Sequence, residues 1–274
     1  MQETIVSVPW LKENLHNKNL IILDASTKTT ISGTTSEYEN CYIPGSRAFD
    51  LKEEFSDKVS PFPNTLPSDK QFETGSKALG INQNSQIVVY DNLGIYNSPR
   101  TWWMLKAMGH TQIAVLDGGL PEWIKQGNQT VGNLETTYTL GDFKAQLHPE
   151  TVKNYDDIIE NSTTKECIIV DARSKGRFEG TEKEPRKELK SGHIPNSINI
   201  PFEEVLENGK FKSETELKKI FESKNIKDQN LIFSCGSGLT ACIVLLASEI
   251  ILKNKKAVYD GSWTEWATKQ ELFE

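Results

Sequence analysis

Long apolar runs are missing from this 274-residue chain, and so is any surplus of positive charge. A membrane-spanning helix needs about 18 or more consecutive apolar residues. The longest apolar stretch, Cys242 to Leu252, is broken by Ser248 and Glu249, so no membrane span is expected. Lysine and arginine number 31 against 38 aspartates and glutamates, a net charge of −7, which argues against a nucleic-acid surface. The N-terminal stretch Met1–Leu15 carries acidic Glu3 and no basic region leading into an apolar run, so it does not read as a signal peptide. Four cysteines (Cys41, Cys167, Cys235, Cys242) are too few for a disulfide scaffold and form no C-x-x-C pair, which makes a reducing cytoplasm the expected compartment. The four histidines are scattered and keep no ligand spacing with cysteine, so no metal and no cofactor are expected.

What is present is a repeat. IILDAS (Ile21–Ser26) returns as IIVDAR (Ile168–Arg173), and YIPGSRAFDL from Tyr42 returns as HIPNSINIPF from His193. SQIVVYD ending at Asp91 returns as QNLIFSC ending at Cys235, and VLDGGLPEW from Val115 returns as VYDGSWTEW from Val258. The offsets are 147, 151, 144 and 143 residues, in the same order along the chain, which marks a tandem duplication. In each half short apolar runs alternate with helical patterns. Strands are expected at Leu20–Leu23, Ile87–Tyr90, Ile113–Leu116, Cys167–Val170, Leu231–Phe233 and Ala257–Tyr259. Helices are expected at Pro99–Met108, Glu214–Lys224 and Thr240–Lys253. Runs of this kind suit strands buried on both faces, so the fold class is α/β, with two tandem domains, each a parallel sheet flanked by helices. The expected domains are 1–133 and 153–274, joined by a polar linker over 134–152.

One loop carries chemistry. The expected strand Leu231–Phe233 ends at Ser234-Cys235, followed by Gly236-Ser237-Gly238-Leu239-Thr240 and an apolar helix. This places Cys235 at the carboxyl end of a parallel strand, where open α/β sheets build their sites. The glycines let backbone N–H groups turn inward as an anion-binding nest, and the helix N-terminus adds partial positive charge. Both favour a negatively charged sulfur, and so a nucleophilic cysteine. Gly236, Gly238, Leu239 and Thr240 would contribute N–H groups, with the Thr240 hydroxyl expected to cap the helix. Cys242 and Cys167 fall on an apolar helix and strand and read as core, as do Trp102, Trp103 and Trp123. A cysteine phosphatase would want an arginine six positions after the cysteine, where Ala241 stands. In the first half the position of Cys235 is taken by Asp91, which is not a thiol nucleophile, so the first domain is expected to be catalytically inactive.

The loop CGSGLTAC (Cys235–Cys242), the segment Asp171–Phe202, SPRTWWMLKAMGH (Ser98–His110) and LDGGLPEW (Leu116–Trp123) together resemble tandem-domain rhodanese-type sulfurtransferases over nearly the whole chain. Within that family the Cys-Gly-Ser-Gly start is similar to the 3-mercaptopyruvate sulfurtransferases, whereas thiosulfate-preferring rhodaneses tend to have Cys-Arg-Lys-Gly. A loop without those two cations is also less suited to a small dianion. The resemblance implies that Arg177 and Arg186 hold the donor's carboxylate and keto group, a task suited to guanidinium forks. It gives Ser237 a part in a serine protease-like relay, beside a loop-stabilising reading of the same hydroxyl. The family's histidine partner for that serine is expected at Tyr42, where a phenol cannot shuttle protons near neutrality as imidazole does. His193 reads as structural.

The implied partners are a small-molecule sulfur donor and a thiol or cyanide acceptor, with a reduced thioredoxin-like protein among the acceptors. Two other readings stay open: thiosulfate as the main donor, and a binding module without turnover.

Overall fold

Aliphatic runs closed by Asp, Ser or a turn residue set the framework. In the computed structural model, which describes residues 3–271, the chain begins with β1 (Ile5–Val6), α1 (Val8–Asn14), β2 (Leu20–Asp24) and β3 (Ser46–Ala48). There follow α2 (Asp69–Ala78), β4 (Gln86–Tyr90), α3 (Ser98–Ala107), β5 (Ile113–Leu116) and α4 (Gly119–Lys125). The second half runs β6 (Val152–Lys153), α5 (Tyr155–Thr164), β7 (Cys167–Asp171), α6 (Lys175–Glu179), β8 (Ser197–Asn199), β9 (Leu206–Glu207) and β10 (Lys210–Phe211). It closes with α7 (Glu214–Ser223), β11 (Asn230–Ser234), α8 (Ala241–Ile251), β12 (Lys256–Tyr259) and α9 (Ser262–Glu271). Among the described residues no helix is long and apolar enough to cross a membrane.

The chain separates into two units. One comprises Met1–Lys58, Leu66–His148 and Asn208–Phe211; the other comprises Val59–Thr65, Pro149–Glu207 and Lys212–Glu274. In the first unit the sheet order is β1-β5-β4-β2-β3, and in the second it is β6-β12-β11-β7-β8, the same order repeated. Every strand pair in both sheets is parallel. Helices cover both faces, so the middle strands are apolar throughout: Ile87, Val88, Val89 and Tyr90 in β4, and Leu231, Ile232 and Phe233 in β11, are all buried. Trp102, Trp103 and Trp123 are core residues, as expected. Helix ends differ from expectation by one or two residues; α8 stops at Ile251 because Leu252 turns extended (φ −123°, ψ 144°).

The stretch expected to be a linker behaves differently. Its first part, 134–148, lies along the first unit. Glu135 N–H donates to the Ser46 carbonyl (2.9 Å), Phe143 N–H to that of Ile81 (3.1 Å) and His148 N–H to that of Ala107 (2.7 Å). Phe143 is fully buried. The main part of the second unit begins at Pro149, and 134–148 stays with the first because a segment without hydrophobic periodicity can still satisfy its backbone against a neighbouring sheet and helix. The units also do not coincide with the sequence halves, since Val59–Thr65 groups with the second and Asn208–Phe211 with the first.

Asp24 ends β2 as a buried carboxyl. Burial pushes its pKa from 3.8 up to about 6, against the pull of hydrogen bonds from the Ser26 N–H and hydroxyl, and Asp91 adds to the rise. The ionised form therefore opposes folding: the stability held below about pH 4 is lost as pH rises through about 6. Asp24→Asn is expected to exceed the wild type in stability at pH 8 by up to about 3 kcal/mol and to match it near pH 4. Denaturant titrations at the two pH values measure this, and a gap that does not change with pH would contradict it.

Candidate active site

In the second unit the site is built where β11 and β7 run out side by side. Ser234 pairs with Asp171, and Ala172 N–H donates to the Ser234 carbonyl (2.8 Å), so Cys235 follows next to the Ala172–Arg173 turn. The loop backbone is fixed from the other side by the start of α9. Trp263 N–H donates to the Cys235 carbonyl (2.9 Å), and Thr264 gives its N–H (3.1 Å) and its hydroxyl (2.6 Å) to the Gly236 carbonyl. Cys235 N–H donates to Ser262 Oγ (3.2 Å), a residue held in left-handed conformation (φ 51°). Cys235 is 2% exposed.

Gly238 has φ 78°, a region that favours glycine, and turns the chain into α8. That helix starts without a side-chain cap, because the Thr240 hydroxyl makes no such bond, contrary to expectation. Helices α5 and α7, by contrast, carry complete capping boxes at Asn154/Asp157 and Ser213/Glu216. The N–H groups of Cys242 and Ile243, which a cap would take, donate instead to the Leu239 (3.0 Å) and Thr240 (3.1 Å) carbonyls. Among the described residues the N–H groups of Gly236, Ser237, Leu239 and Thr240 donate to no protein acceptor.

The first unit displays what such a loop does to an anion. Asp91 sits at the matching end of β4, and its carboxylate accepts from the N–H groups of Leu93 (3.0 Å), Tyr96 (2.9 Å), Asn97 (3.0 Å) and Ser98 (2.9 Å) and from the Ser98 hydroxyl (2.6 Å). Gly94, at φ 96°, is the counterpart of Gly238. The cradle there is filled by its own side chain. A cavity of about 1020 Å³ opens beside it, lined by Asp24, Ser26, Tyr42, Asn92 and Asn97 among others, with no arginine in its wall.

Arg177 and Arg186 do come together beside the cysteine loop. A Cβ added to Gly236 would stand 3.0 Å from Arg177 Nη2 and 3.9 Å from Arg186 Nη1, which puts both guanidiniums at the loop. Burial pulls the Arg186 pKa down, while Cys235 and Glu188 act against that pull. Behind them lies a charge network that sequence reasoning passed over. Arg173, fully buried, donates to Asp171 through Nε (3.1 Å) and Nη2 (2.6 Å), and to Glu184 Oε1 through Nη1 (2.7 Å). Glu184 Oε2 accepts from Arg177 Nη2 (2.6 Å) and Nε (3.1 Å). Burial opposes the charge on Arg173, but Asp171 and Glu184 together raise its pKa. The sequence GTEKEPRKE offers many glutamates, and nothing in it singles out Glu184 as the buried one.

Ser237 has a partner other than the one expected. Asn64 Nδ2 donates to Ser237 Oγ (3.0 Å) and to its carbonyl (3.2 Å). Asn64 is left-handed (φ 60°), which asparagine tolerates, in a turn braced by the Ser60–Thr65 hydroxyl pair (2.8 Å). Tyr42 belongs to the first unit, where its backbone pairs with Val131 and it lines the cavity. Separated from Ser237 by 173 positions, Asn64 gave no signal in the sequence. His193 Nδ1 bonds the Phe178 carbonyl (2.9 Å) and its ring stacks on Phe178, a structural role.

Comparison with known proteins now defines the class. Residues 7–126 and 151–269 each match the rhodanese-like domain, and the chain belongs to that family in its two-domain form. It is 39% identical over 272 residues to a 3-mercaptopyruvate sulfurtransferase of Mus musculus, covering 96% of this chain and 91% of that protein. It is also 39% identical over 278 residues to a thiosulfate sulfurtransferase of Cricetulus griseus, covering 97% and 92%. The crystal structure of SseA from Escherichia coli, from a study of the fold and mechanism of 3-mercaptopyruvate sulfotransferases, superposes with a TM-score of 0.83 at 33% identity, covering 96% of this chain and 99% of that one. The protein is accordingly an enzyme of the sulfurtransferase class, acting between a small-molecule sulfur donor and an acceptor.

Arg173→Met, which leaves two buried carboxylates without their shared cation, is expected to cost roughly 3–5 kcal/mol of stability. Urea unfolding of the variant measures it; a loss below about 1 kcal/mol, the scale of an exposed pair, would mean the network is solvated.

Proposed function

We propose that this sulfurtransferase takes sulfur from 3-mercaptopyruvate and carries it on Cys235. The observation that supports this most is the convergence of Arg177 and Arg186 on the loop at Gly236, next to the cysteine. One guanidinium takes the donor's carboxylate and the other its keto oxygen, aiming the terminal sulfur at Cys235. The Cys235 thiolate attacks that sulfur. The new S–S bond forms as the C–S bond breaks, the electron pair leaves on carbon as the pyruvate enolate, and the proton of the donor thiol balances its conversion to pyruvate. The loop N–H groups of Gly236, Ser237, Gly238, Leu239 and Thr240 stabilise the anionic persulfide; the counterparts of two of them, Leu93 and Tyr96, hold the Asp91 carboxylate in the first unit. A thiol, cyanide or a reduced thioredoxin-like protein then attacks the outer sulfur, restoring the Cys235 thiolate. Cys41, Cys167 and Cys242 are also free thiols, which suits a reducing compartment such as the cytoplasm.

Ser237 acts here as a hydrogen-bond donor and not as a proton relay. Its oxygen already accepts from the Asn64 amide, so its own proton is left for the enolate oxygen, and an amide cannot take up a proton in turn. The first domain, with Asp91 filling its cradle, carries no sulfur. Asn64→Ala should lower kcat/KM on 3-mercaptopyruvate roughly 3- to 10-fold, the scale of one hydrogen bond, with little change in the ionic-strength dependence. An unchanged kcat/KM would remove Asn64 from the reaction.

Thiosulfate as main donor is the second reading, favoured by the 39% identity to the Cricetulus griseus enzyme. Steady-state kcat/KM on the two donors, with wild type and Cys235→Ala, separates the possibilities. A higher value on 3-mercaptopyruvate, abolished in Cys235→Ala, is expected. A clear preference for thiosulfate would replace the donor, and equal rates in the two proteins would make the chain a binding module.

A further inference from the structure

Glu184 is buried (side chain 2% exposed), uses both carboxylate oxygens on arginines, and touches one of the two guanidiniums beside Cys235 but not the other. Arg186 makes no ion pair within 4 Å among the described residues. The charges around the loop can therefore be counted. Arg173, Arg177 and Arg186 face the buried carboxylates of Asp171 and Glu184, which leaves one positive charge in excess. Glu188, exposed, lies near Arg186, where water screens it, and Glu203 lies near Arg177, where burial raises its pKa and so disfavours its charge.

We propose that Glu184 is a specificity-determining residue: by neutralising Arg177 it limits the positive charge beside Cys235 to one, which suits a donor bearing a single carboxylate and penalises a dianion. The inference rests on the reading of Arg177 and Arg186 as the donor's binding groups. Arg177 keeps its N–H fork for geometry, held in place by Glu184, while its charge is already matched. Arg186 supplies the one unmatched charge. A single carboxylate matches it, and the second negative charge of a dianion finds no counterpart there. At an effective dielectric near 20, one added charge several ångströms away is worth enough to change relative rates by an order of magnitude.

The test is Glu184→Gln, which keeps size and hydrogen-bonding atoms while removing the charge. Two ratios are read on the full chain. The ratio of kcat/KM for thiosulfate to that for 3-mercaptopyruvate should rise roughly tenfold. The ratio of Cys235 alkylation rates by iodoacetate, an anion, and iodoacetamide, its neutral analogue, should rise in the same direction; any change in the cysteine's own reactivity cancels in it. Glu184→Asp, which retains the charge, should lower rates and leave both ratios near wild type. A purely structural role would depress both donors together and leave both ratios fixed in Glu184→Gln, which would overturn the proposal. The alkylation ratio needs no turnover, so it reads the charge count even if 3-mercaptopyruvate proves not to be the donor. Should Glu184→Gln fail to fold, Arg186→Gln removes a charge of opposite sign and must lower the alkylation ratio; an unchanged ratio there refutes the charge count.

Discussion

The structure depends on one constraint: a turn of backbone N–H groups at the end of a central parallel strand must face an anion. Four N–H groups and a hydroxyl close on Asp91 in the first unit, at 2.6–3.0 Å. The repeated turn in the second unit follows the same strand order, has glycine at the matching left-handed position, and holds Cys235 where the aspartate stood. A carboxylate built into the cradle completes it permanently. Under the proposed function a thiolate completes the other, extends by one sulfur and is emptied again. On this account a single substitution at one repeat position separates a closed loop from a working one.

The surroundings of the two loops diverged to match. At the end of β7 the Asp171 carboxylate is paired by Arg173, which in turn holds Glu184, which holds Arg177. At the end of β2 the same repeat position has Ser26 in place of Arg173, so Asp24 is left with hydroxyl and amide donors and its pKa climbs to about 6. The second unit can keep ionised groups buried because each has a partner of opposite sign. The cavity of the first unit has lysines (Lys28, Lys52) but no arginine fork in its wall, in line with a cradle already occupied.

Much of this was legible in the sequence. The duplication, the α/β class and the position of Cys235 follow from apolar runs, repeat offsets and a glycine-rich turn, all of them local signals. The buried network did not follow, because Arg173, Arg177 and Glu184 sit in a stretch so rich in charge that solvated surface is the natural reading. Asn64 was invisible for another reason: its partner is far away in the chain, and a Pro/Ser-rich turn shows no sign of what it will meet. The same limit applies to residues 134–148, whose pairing to the first unit is a backbone affair with no side-chain pattern to announce it. The Thr240 cap failed because Thr240 itself is helical (φ −69°, ψ −19°) and the N–H groups of Cys242 and Ile243 already bond the Leu239 and Thr240 carbonyls.

The central claim is that one sulfur atom is carried, and that Cys235 carries it. The full chain incubated with 3-mercaptopyruvate, digested without reductant and mapped by tandem mass spectrometry, tests it directly across Cys41, Cys167, Cys235 and Cys242. The account predicts a single added sulfur on the Cys235 peptide, discharged when cyanide is supplied. An added sulfur on another cysteine, or none on Cys235, would contradict it.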